Sequence, residues 1–422
     1  MTRKDFPVLG EHYFEQILPS GLTVRVIEKP GFAKKYAFMA TDFGSADMDF
    51  SLDGVQYHTP AGVAHYLEHK MFDLPDGNAM QQFAAYGGRN NAFTSYAMTA
   101  YYVECTERFE ENLATLLHMI STPYYTEESV EKERGIIAQE IKMYDDSPDS
   151  VVGENLMRAL FYHHPVRVPI AGSVESIQSI TAETLLQCHK AFYDPSNMIL
   201  CVMGDVDAAE VIRQAEEQTP AGCGKRPVCD YGAAEPMTCP QPRIEVKMEV
   251  SMPMFAIGFK SETAEKGVGS MRDDFIGALA AELLAGEASR LYTELYENDL
   301  IDSDFGGGFE RIRSAAFLEF GGDSQDPDAV LDAILNEAER IGREGVDQGH
   351  FRRLKKASLG RRLRDLDGFE STCYRICSCF CDGAEYLDYP GILESITPAD
   401  VEQFIRRVVT KQRAALSVVL PR

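Results

Sequence analysis

The sequence repeats itself about halfway along the chain. The apolar segment 254–258 resembles segment 36–40, and the two are 218 residues apart. Residues 396–400 (Ile-Thr-Pro-Ala-Asp) resemble residues 180–183 (Ile-Thr-Ala-Glu), at an offset of 216. Nearly equal offsets at the two ends of a half are typical of a duplicated domain. The repeat therefore predicts two homologous domains within the 422 residues.

The order of the apolar segments within each half predicts the fold class. Short strand-like segments are mixed with longer helical ones, without the strict alternation of a parallel sheet. This pattern favours an α+β fold, in which a mainly antiparallel sheet packs with helices. Between the halves the composition changes to Pro, Gly, Ala and Cys, as in a linker. We expect domains at 1–218 and 243–422, joined by a linker at 219–242.

The first half contains a pattern that indicates a metal site, H-x-x-E-H at residues 65–69. On a helix, which we expect to begin near Thr59-Pro60, His65 and His69 lie one turn apart on the same face. Two imidazoles at this spacing can bind one Zn²⁺ ion, and Glu68 lies beside them as a candidate base. The pattern matches the inverted zincins. The alternative is a surface helix that carries two histidines by chance. Because the chain has only nine histidines, we favour the metal site.

The second half lacks this chemistry. At an offset of 215, the three motif residues fall on Ala280, Leu283 and Leu284. None of these side chains can bind a metal ion. We therefore expect the second domain to support the first or to bind substrate, and not to catalyse.

Two glutamates are candidates for a further ligand, because a catalytic zinc usually has three protein ligands. Glu133 and Glu140 are seven residues apart in the predicted helix 126–144, so both face one side of it. The alternative is that both are solvated surface acids. The spacing alone does not choose between the two glutamates.

These motifs together resemble the insulinase/pitrilysin family of inverted-zincin metallopeptidases. The resemblance covers nearly the whole chain, including the duplication, and implies the half-clamshell arrangement of two α+β domains found in that family. It implies that His65, His69 and Glu140 bind Zn²⁺ and that Glu68 is the general base. It also implies that Glu133 is the second acidic residue of the catalytic site and supports it without binding the metal.

The resemblance also extends to a segment that binds substrate in the family. Residues Asn91, Ala92, Phe93 and Thr94 match an edge strand to which peptides add as an extra β-strand. We therefore expect these four residues to contact the substrate through the backbone.

One family feature is missing from this sequence. Family members carry an Arg and, about seven residues later, a Tyr in the second half, where this chain has Tyr296 and Ser303. The segment Leu300-Ile301-Asp302 resembles the zinc-bearing member of bacterial pairs, in which a paralogue without zinc supplies the Arg and Tyr. The resemblance therefore implies a heterodimer with such a paralogue, or else a homodimer.

Charge and hydropathy exclude other kinds of partner. The chain has 66 acidic and 41 basic residues and a formal charge of −25. Such a surface argues against nucleic acid and against an anionic membrane. The chain also has neither an apolar leader at its start nor an apolar run of eighteen residues. We expect a cytoplasmic protein.

The cysteines allow two interpretations. Cys373, Cys377 and Cys381 follow one another at steps of four and could line a helix face as metal ligands. More often such cysteines are small buried hydrophobic residues, which is the interpretation we favour.

The sequence as a whole predicts a zinc-dependent endopeptidase that cleaves unfolded peptides or small proteins. The alternative is a structural or assembly subunit that has this fold without activity.

Overall fold

The computed structural model describes residues 1–264 and 266–422. These residues form two compact units, each built from three segments of the chain. Unit 1 comprises residues 1–141, 169–230 and 363–388, and unit 2 comprises residues 142–168, 231–362 and 389–422.

The β-strands of the described residues are named in chain order. They are β1 (Thr2–Phe6), β2 (Glu11–Ile17), β3 (Thr23–Glu28), β4 (Lys35–Thr41), β5 (Asp49–Leu52), β6 (Val55–His58), β7 (Asp73–Leu74), β8 (Gly77–Asn78), β9 (Arg89–Thr94), β10 (Thr99–Cys105), β11 (Met198–Gly204), β12 (Val228–Cys229), β13 (Arg243–Met248), β14 (Met254–Ser261), β15 (Gly306–Ile312), β16 (Ala315–Asp323) and β17 (Ala414–Pro421).

The α-helices are named in the same way. They are α1 (Val63–Lys70), α2 (Ala79–Ala85), α3 (Phe109–Ser121), α4 (Glu127–Asp145), α5 (Pro148–Leu160), α6 (Ala182–Phe192), α7 (Ala208–Gln218), α8 (Val268–Ala285), α9 (Arg290–Glu297), α10 (Pro327–Glu344), α11 (Gln348–Asp365), α12 (Phe369–Cys381), α13 (Tyr389–Ser395) and α14 (Pro398–Val408).

The two main sheets share one topology. The sheet of unit 1 has the order β1-β2-β3-β11-β4-β10-β9, and the sheet of unit 2 has the order β13-β17-β14-β16-β15. In each sheet one pair is parallel, β3 with β11 and β13 with β17, and the other neighbours are antiparallel. The five strands of unit 2 correspond one by one to the last five of unit 1. The predicted α+β class and the duplication are therefore confirmed.

The repeated Ile-Thr segment has a local structural role in both units. The side chain of Thr181 accepts a hydrogen bond from the backbone N–H of Thr184 and caps the start of α6. Thr397 and Asp400 form a reciprocal capping box at the start of α14. Such caps satisfy backbone donors that a helix leaves unpaired in its first turn. Both copies of the repeated segment therefore begin a helix.

The compact units do not follow the two sequence repeats, which we placed at 1–218 and 243–422. Helix α5 packs against β14 and β17 of unit 2, and helix α12 packs against β4 and β11 of unit 1. Gly258 makes room for α5, because a Cβ there would lie 2.6 Å from a methyl carbon of Leu160. An amphipathic pattern shows that a helix has a buried face, but not which sheet covers it.

The structure corrects the predicted start of the helix that carries the H-x-x-E-H motif. Helix α1 begins at Val63, not at Thr59-Pro60. The preceding Gly62 has a φ of 90°, and a Cβ there would lie 2.4 Å from the carbonyl oxygen of Ala171, so only glycine fits.

Cys373 and Cys377 are fully buried, as expected for small hydrophobic residues. No helix of the described residues has both the length and the apolar character needed to cross a membrane.

Candidate metal centre

Helix α1 carries the H-x-x-E-H motif and is buried on most of its surface. Its apolar residues Val63 and Leu67 belong to the core of unit 1, and the helix packs against α6. The rings of His65 and His69 lie on one face, with their centroids 4.6 Å apart. Only 8% of the surface of His65 is exposed, so its ring is held by its surroundings.

Helix α4 brings a carboxylate to these two rings. Atom Oε1 of Glu140 lies 3.5 Å from Nε2 of His65, and its Oε2 lies 3.5 Å from Nε2 of His69. The core residues Ile137 and Ile141 flank Glu140 and seat α4 on unit 1. Among the described residues, His65, His69 and Glu140 form the one group of three or more side chains suited to a metal ion.

The separations in this group fit zinc. The corners of a tetrahedron around an ion with ligands at about 2.1 Å are about 3.4 Å apart, close to the observed spacing. Two imidazoles and one carboxylate form a donor set that catalytic zinc sites use, with a fourth position left for water or substrate. Zinc is therefore the metal that this group fits.

Glu133 contacts one of the candidate ligands, His69, and is not itself part of the metal-binding group. Its Oε1 lies 3.0 Å from Nδ1 of His69, which leaves Nε2 of that ring directed to Glu140. Burial lowers the pKa of His69, but the bond to Glu133 and the nearby carboxylates outweigh burial and raise that pKa. A carboxylate on the second ring nitrogen fixes the tautomer and orientation of a ligand histidine. Nδ1 of His65, in contrast, is buried and has no partner among the described residues.

The Glu68 carboxyl lies beside the metal group and is held by the edge strand. Its Oε2 accepts a hydrogen bond of 2.7 Å from Oγ1 of Thr94 on β9. Burial raises the pKa of Glu68, and the Thr94 hydroxyl and the two histidines partly oppose this rise. A buried carboxylate of raised pKa that is held near a metal group is suited to move a proton.

The four predicted substrate-binding residues all lie on β9, the edge strand of the sheet of unit 1. Asn91, Ala92, Phe93 and Thr94 pair on one side with β10. Successive side chains point to opposite faces of the sheet. Thr94 therefore reaches Glu68, whereas the ring of Phe93 faces α12 and lies 5.9 Å from that of Tyr374.

The residues that replace the expected Arg and Tyr lie in unit 2. Tyr296 is on α9 and 53% exposed, and Ser303 follows in an exposed turn. The second-half positions that match the motif, Ala280, Leu283 and Leu284, are buried in α8. The second repeat therefore keeps the helix and uses it for packing.

Two residues of α1, one within the motif and one directly after it, have a role that the sequence did not predict. Tyr66 and Lys70 are almost completely buried and bond to carbonyl oxygens at the start of α4. A lysine between a motif histidine and the apolar pair Met71-Phe72 was the available indication, since lysines are rarely buried without a partner.

Comparisons with known proteins agree with this geometry. Residues 54–174 match the profile of the insulinase family (peptidase family M16), and residues 179–358 match that of the M16 inactive domain. YmfH of Bacillus subtilis, described as an uncharacterized zinc protease, is 35% identical to this chain, and the alignment covers 99% of each protein.

Two solved structures show how widely the fold occurs. An M16-like peptidase from Alicyclobacillus acidocaldarius has a TM-score of 0.94 at 32% identity, covering 97% of this chain and 98% of that one. A chain of complex III from Candida albicans has a TM-score of 0.75 at 12% identity, covering 96% of this chain and 95% of that one. At that identity the second likeness concerns the fold alone.

Proposed function

The chain belongs to the insulinase family of zinc peptidases, and from that premise we propose that it is a zinc-dependent endopeptidase cleaving unfolded peptides or small proteins. The observation that carries this proposal is the position of Glu68. Its carboxyl interacts electrostatically with His65, His69 and Glu140 and accepts a hydrogen bond from the strand that would bind a peptide. A protein that used this fold only for assembly would have no need of such a carboxyl.

In the proposed reaction the metal ion and the protein side chains have different roles. His65, His69 and Glu140 would hold a zinc ion, which would supply Lewis acidity to the site. Glu68 takes a proton from the attacking water and delivers it to the nitrogen of the leaving amine. Glu133 acts through His69, whose ring it orients, and is therefore a positioning residue.

The edge of β9 is the proposed substrate site. Among the described residues β9 has a sheet partner on one side only, so its outer edge can pair with an extended peptide by backbone hydrogen bonds. Backbone pairing requires an extended chain, so this mode favours unfolded peptides over folded proteins. The Thr94–Glu68 bond then couples the position of that strand to the position of the base.

A prediction follows for Thr94. Thr94→Val keeps the branched shape of the side chain and removes the hydroxyl that holds Glu68. We expect kcat to fall by about tenfold, because a misplaced base transfers protons less efficiently. Zinc content should be unchanged. The matched control is Thr122→Val at the end of α3, whose hydroxyl bonds to His118 and which should have normal kcat. A normal kcat for Thr94→Val would show that β9 does not position the base.

We further propose that a paralogue without zinc completes the enzyme. The oxyanion that forms during cleavage needs hydrogen-bond donors, and the loss of one such donor can cost on the order of 10²–10³ in kcat. Tyr296 and Ser303 have neither the fixed charge nor the forked geometry of an arginine. The isolated chain, also as a homodimer, should therefore be a poor peptidase.

Mixing experiments test this partnership. We expect kcat to rise by about 100-fold when a paralogue is added that has an Arg and a Tyr about seven residues apart and lacks H-x-x-E-H. The same paralogue with its Arg changed to Ala is the control and should restore little activity. If the isolated chain cleaves peptides at full rate and no paralogue improves it, the partnership is wrong.

The second candidate function is a non-catalytic structural or assembly subunit. The match of residues 179–358 to the M16 inactive domain favours it. The intact metal group in unit 1 favours the peptidase. Incubation of an unfolded peptide with the zinc-loaded protein, alone and with the paralogue, separates the two, because an assembly subunit leaves the peptide uncut.

A further inference from the structure

Helices α1 and α4 are joined by contacts other than the metal group. The hydroxyl of Tyr66 donates a hydrogen bond to the carbonyl oxygen of Val130. Nζ of Lys70 lies 3.3 Å from the carbonyl oxygen of Ser129 and also pairs with the carboxylate of Asp73. The contacts with Val130 and Ser129 both lie in the first turn of α4.

Lys70 is an unusual residue to find at such a position. Only 1% of its surface is exposed, and a buried ammonium group is costly unless it is paired and hydrogen-bonded. Its partners lie on two different segments, with Asp73 on β7 and Ser129 at the start of α4. Tyr66 is fully buried, one helical turn earlier on the same stripe of α1. This arrangement of two donors is far more specific than apolar packing alone requires.

The position of these contacts matters for the third ligand. Tyr66 and Lys70 each follow a motif histidine by one residue, so they move with His65 and His69 as parts of one short helix. Glu140 lies ten residues beyond Val130, or about 15 Å along α4. A shift of α4 by one residue would move Glu140 by about 1.5 Å along the axis and turn it by about 100°. Either change would take its carboxylate away from the two rings.

We propose that Tyr66 and Lys70 are positioning residues that hold α4 in the register at which Glu140 meets both histidines. The proposal rests on the zinc site described above and adds a reason why the ligand from the second helix is in place. His65 and His69 are set by α1 itself, whereas Glu140 depends on how the two helices pack. Apolar packing of Ile137 and Ile141 tolerates small slides, but a hydrogen bond to a particular carbonyl oxygen does not.

The test measures zinc affinity, by competition with a chromogenic chelator and with zinc ion as the probe. Lys70→Met keeps the length of the side chain and removes the ammonium group. We expect zinc to bind about tenfold more weakly, the lower end of the effect of groups that orient metal ligands. The matched control is Lys260→Met in unit 2, which removes a fully buried lysine that pairs with Glu235 at 3.0 Å. Zinc affinity of this control should equal that of the wild type.

A milder pair of variants covers the case in which Lys70→Met fails to fold. Tyr66→Phe removes only the hydroxyl that reaches Val130, and we expect zinc to bind several-fold more weakly. Its control is Tyr36→Phe, because the Tyr36 hydroxyl is buried without a hydrogen-bond partner among the described residues. That control should bind zinc normally.

Two results would overturn the inference. One is wild-type zinc affinity in Tyr66→Phe and in folded Lys70→Met. The other is an equal loss of affinity in the two control variants, which would assign the effect to general destabilisation. Failure of the proposed function looks different, because the wild-type chain would then not bind zinc or would not cleave peptides.

Discussion

Glu68→Gln is expected to slow peptide cleavage by roughly 10²–10⁴-fold and to leave zinc bound, the range typical of a lost general base. Glutamine has the shape of glutamate and can still bond to the Thr94 hydroxyl, but it cannot accept a proton from water. The three metal ligands are untouched, so zinc content and peptide affinity should be those of the wild type. Single-turnover kinetics on a fluorogenic peptide, with zinc content measured on the same sample, check both halves of the prediction.

The control for this variant is Glu128→Gln, an exposed glutamate in the first turn of α4. It makes the same chemical change at a site with no access to the metal group, and its rate should be normal. If Glu68→Gln cleaves at a near-normal rate, another group must take the proton from water, and the role given to Glu68 is wrong.

The second large effect concerns the metal. His65→Ala, His69→Ala and Glu140→Gln should each lose most of the bound zinc, because two remaining ligands hold the ion poorly. Glu133→Gln should cost less, on the order of 10–100-fold in zinc affinity or activity, because it removes only the group that orients His69. Metal analysis after dialysis against a weak chelator ranks the four variants.

An exposed histidine provides the control for these losses. His118→Ala on α3 removes an imidazole that bonds to the nearby Thr122 hydroxyl, and zinc content should stay normal. If Glu133→Gln loses zinc and Glu140→Gln retains it, the wrong glutamate has been assigned as the ligand.

The part of the site that sequence predicts well is the part carried by one helix. The separation of His65 and His69 is fixed by helical geometry, so their meeting could be predicted without tertiary information. Glu140 comes from another helix, and spacing alone left it equivalent to Glu133. The structure separates the two, since Glu140 faces both Nε2 atoms and Glu133 faces Nδ1 of His69.

Contacts that depend on packing could not be predicted. The bond between Thr94 and Glu68 requires that β9 and α1 come together. The sequences of these two segments do not predict that contact. The buried state of Lys70 likewise depends on Asp73 and α4. Helix α5 of the first repeat packs in unit 2, and helix α12 of the second repeat packs in unit 1. An amphipathic pattern does not show which of the two sheets a helix will cover. The duplication itself was predictable, because the sequence repeats.

The most direct test of the central claim is the cleavage of an unfolded peptide by metal-free and zinc-restored protein, with new peptide ends identified by mass spectrometry. The reaction is run at high protein concentration, with and without the paralogue, and with the Glu68→Gln variant in parallel. The account predicts that new amino ends form only after zinc is restored, and that Glu68→Gln binds as much zinc and forms almost none. Equal cleavage by the metal-free protein, or none by the zinc-restored protein under any of these conditions, would contradict it.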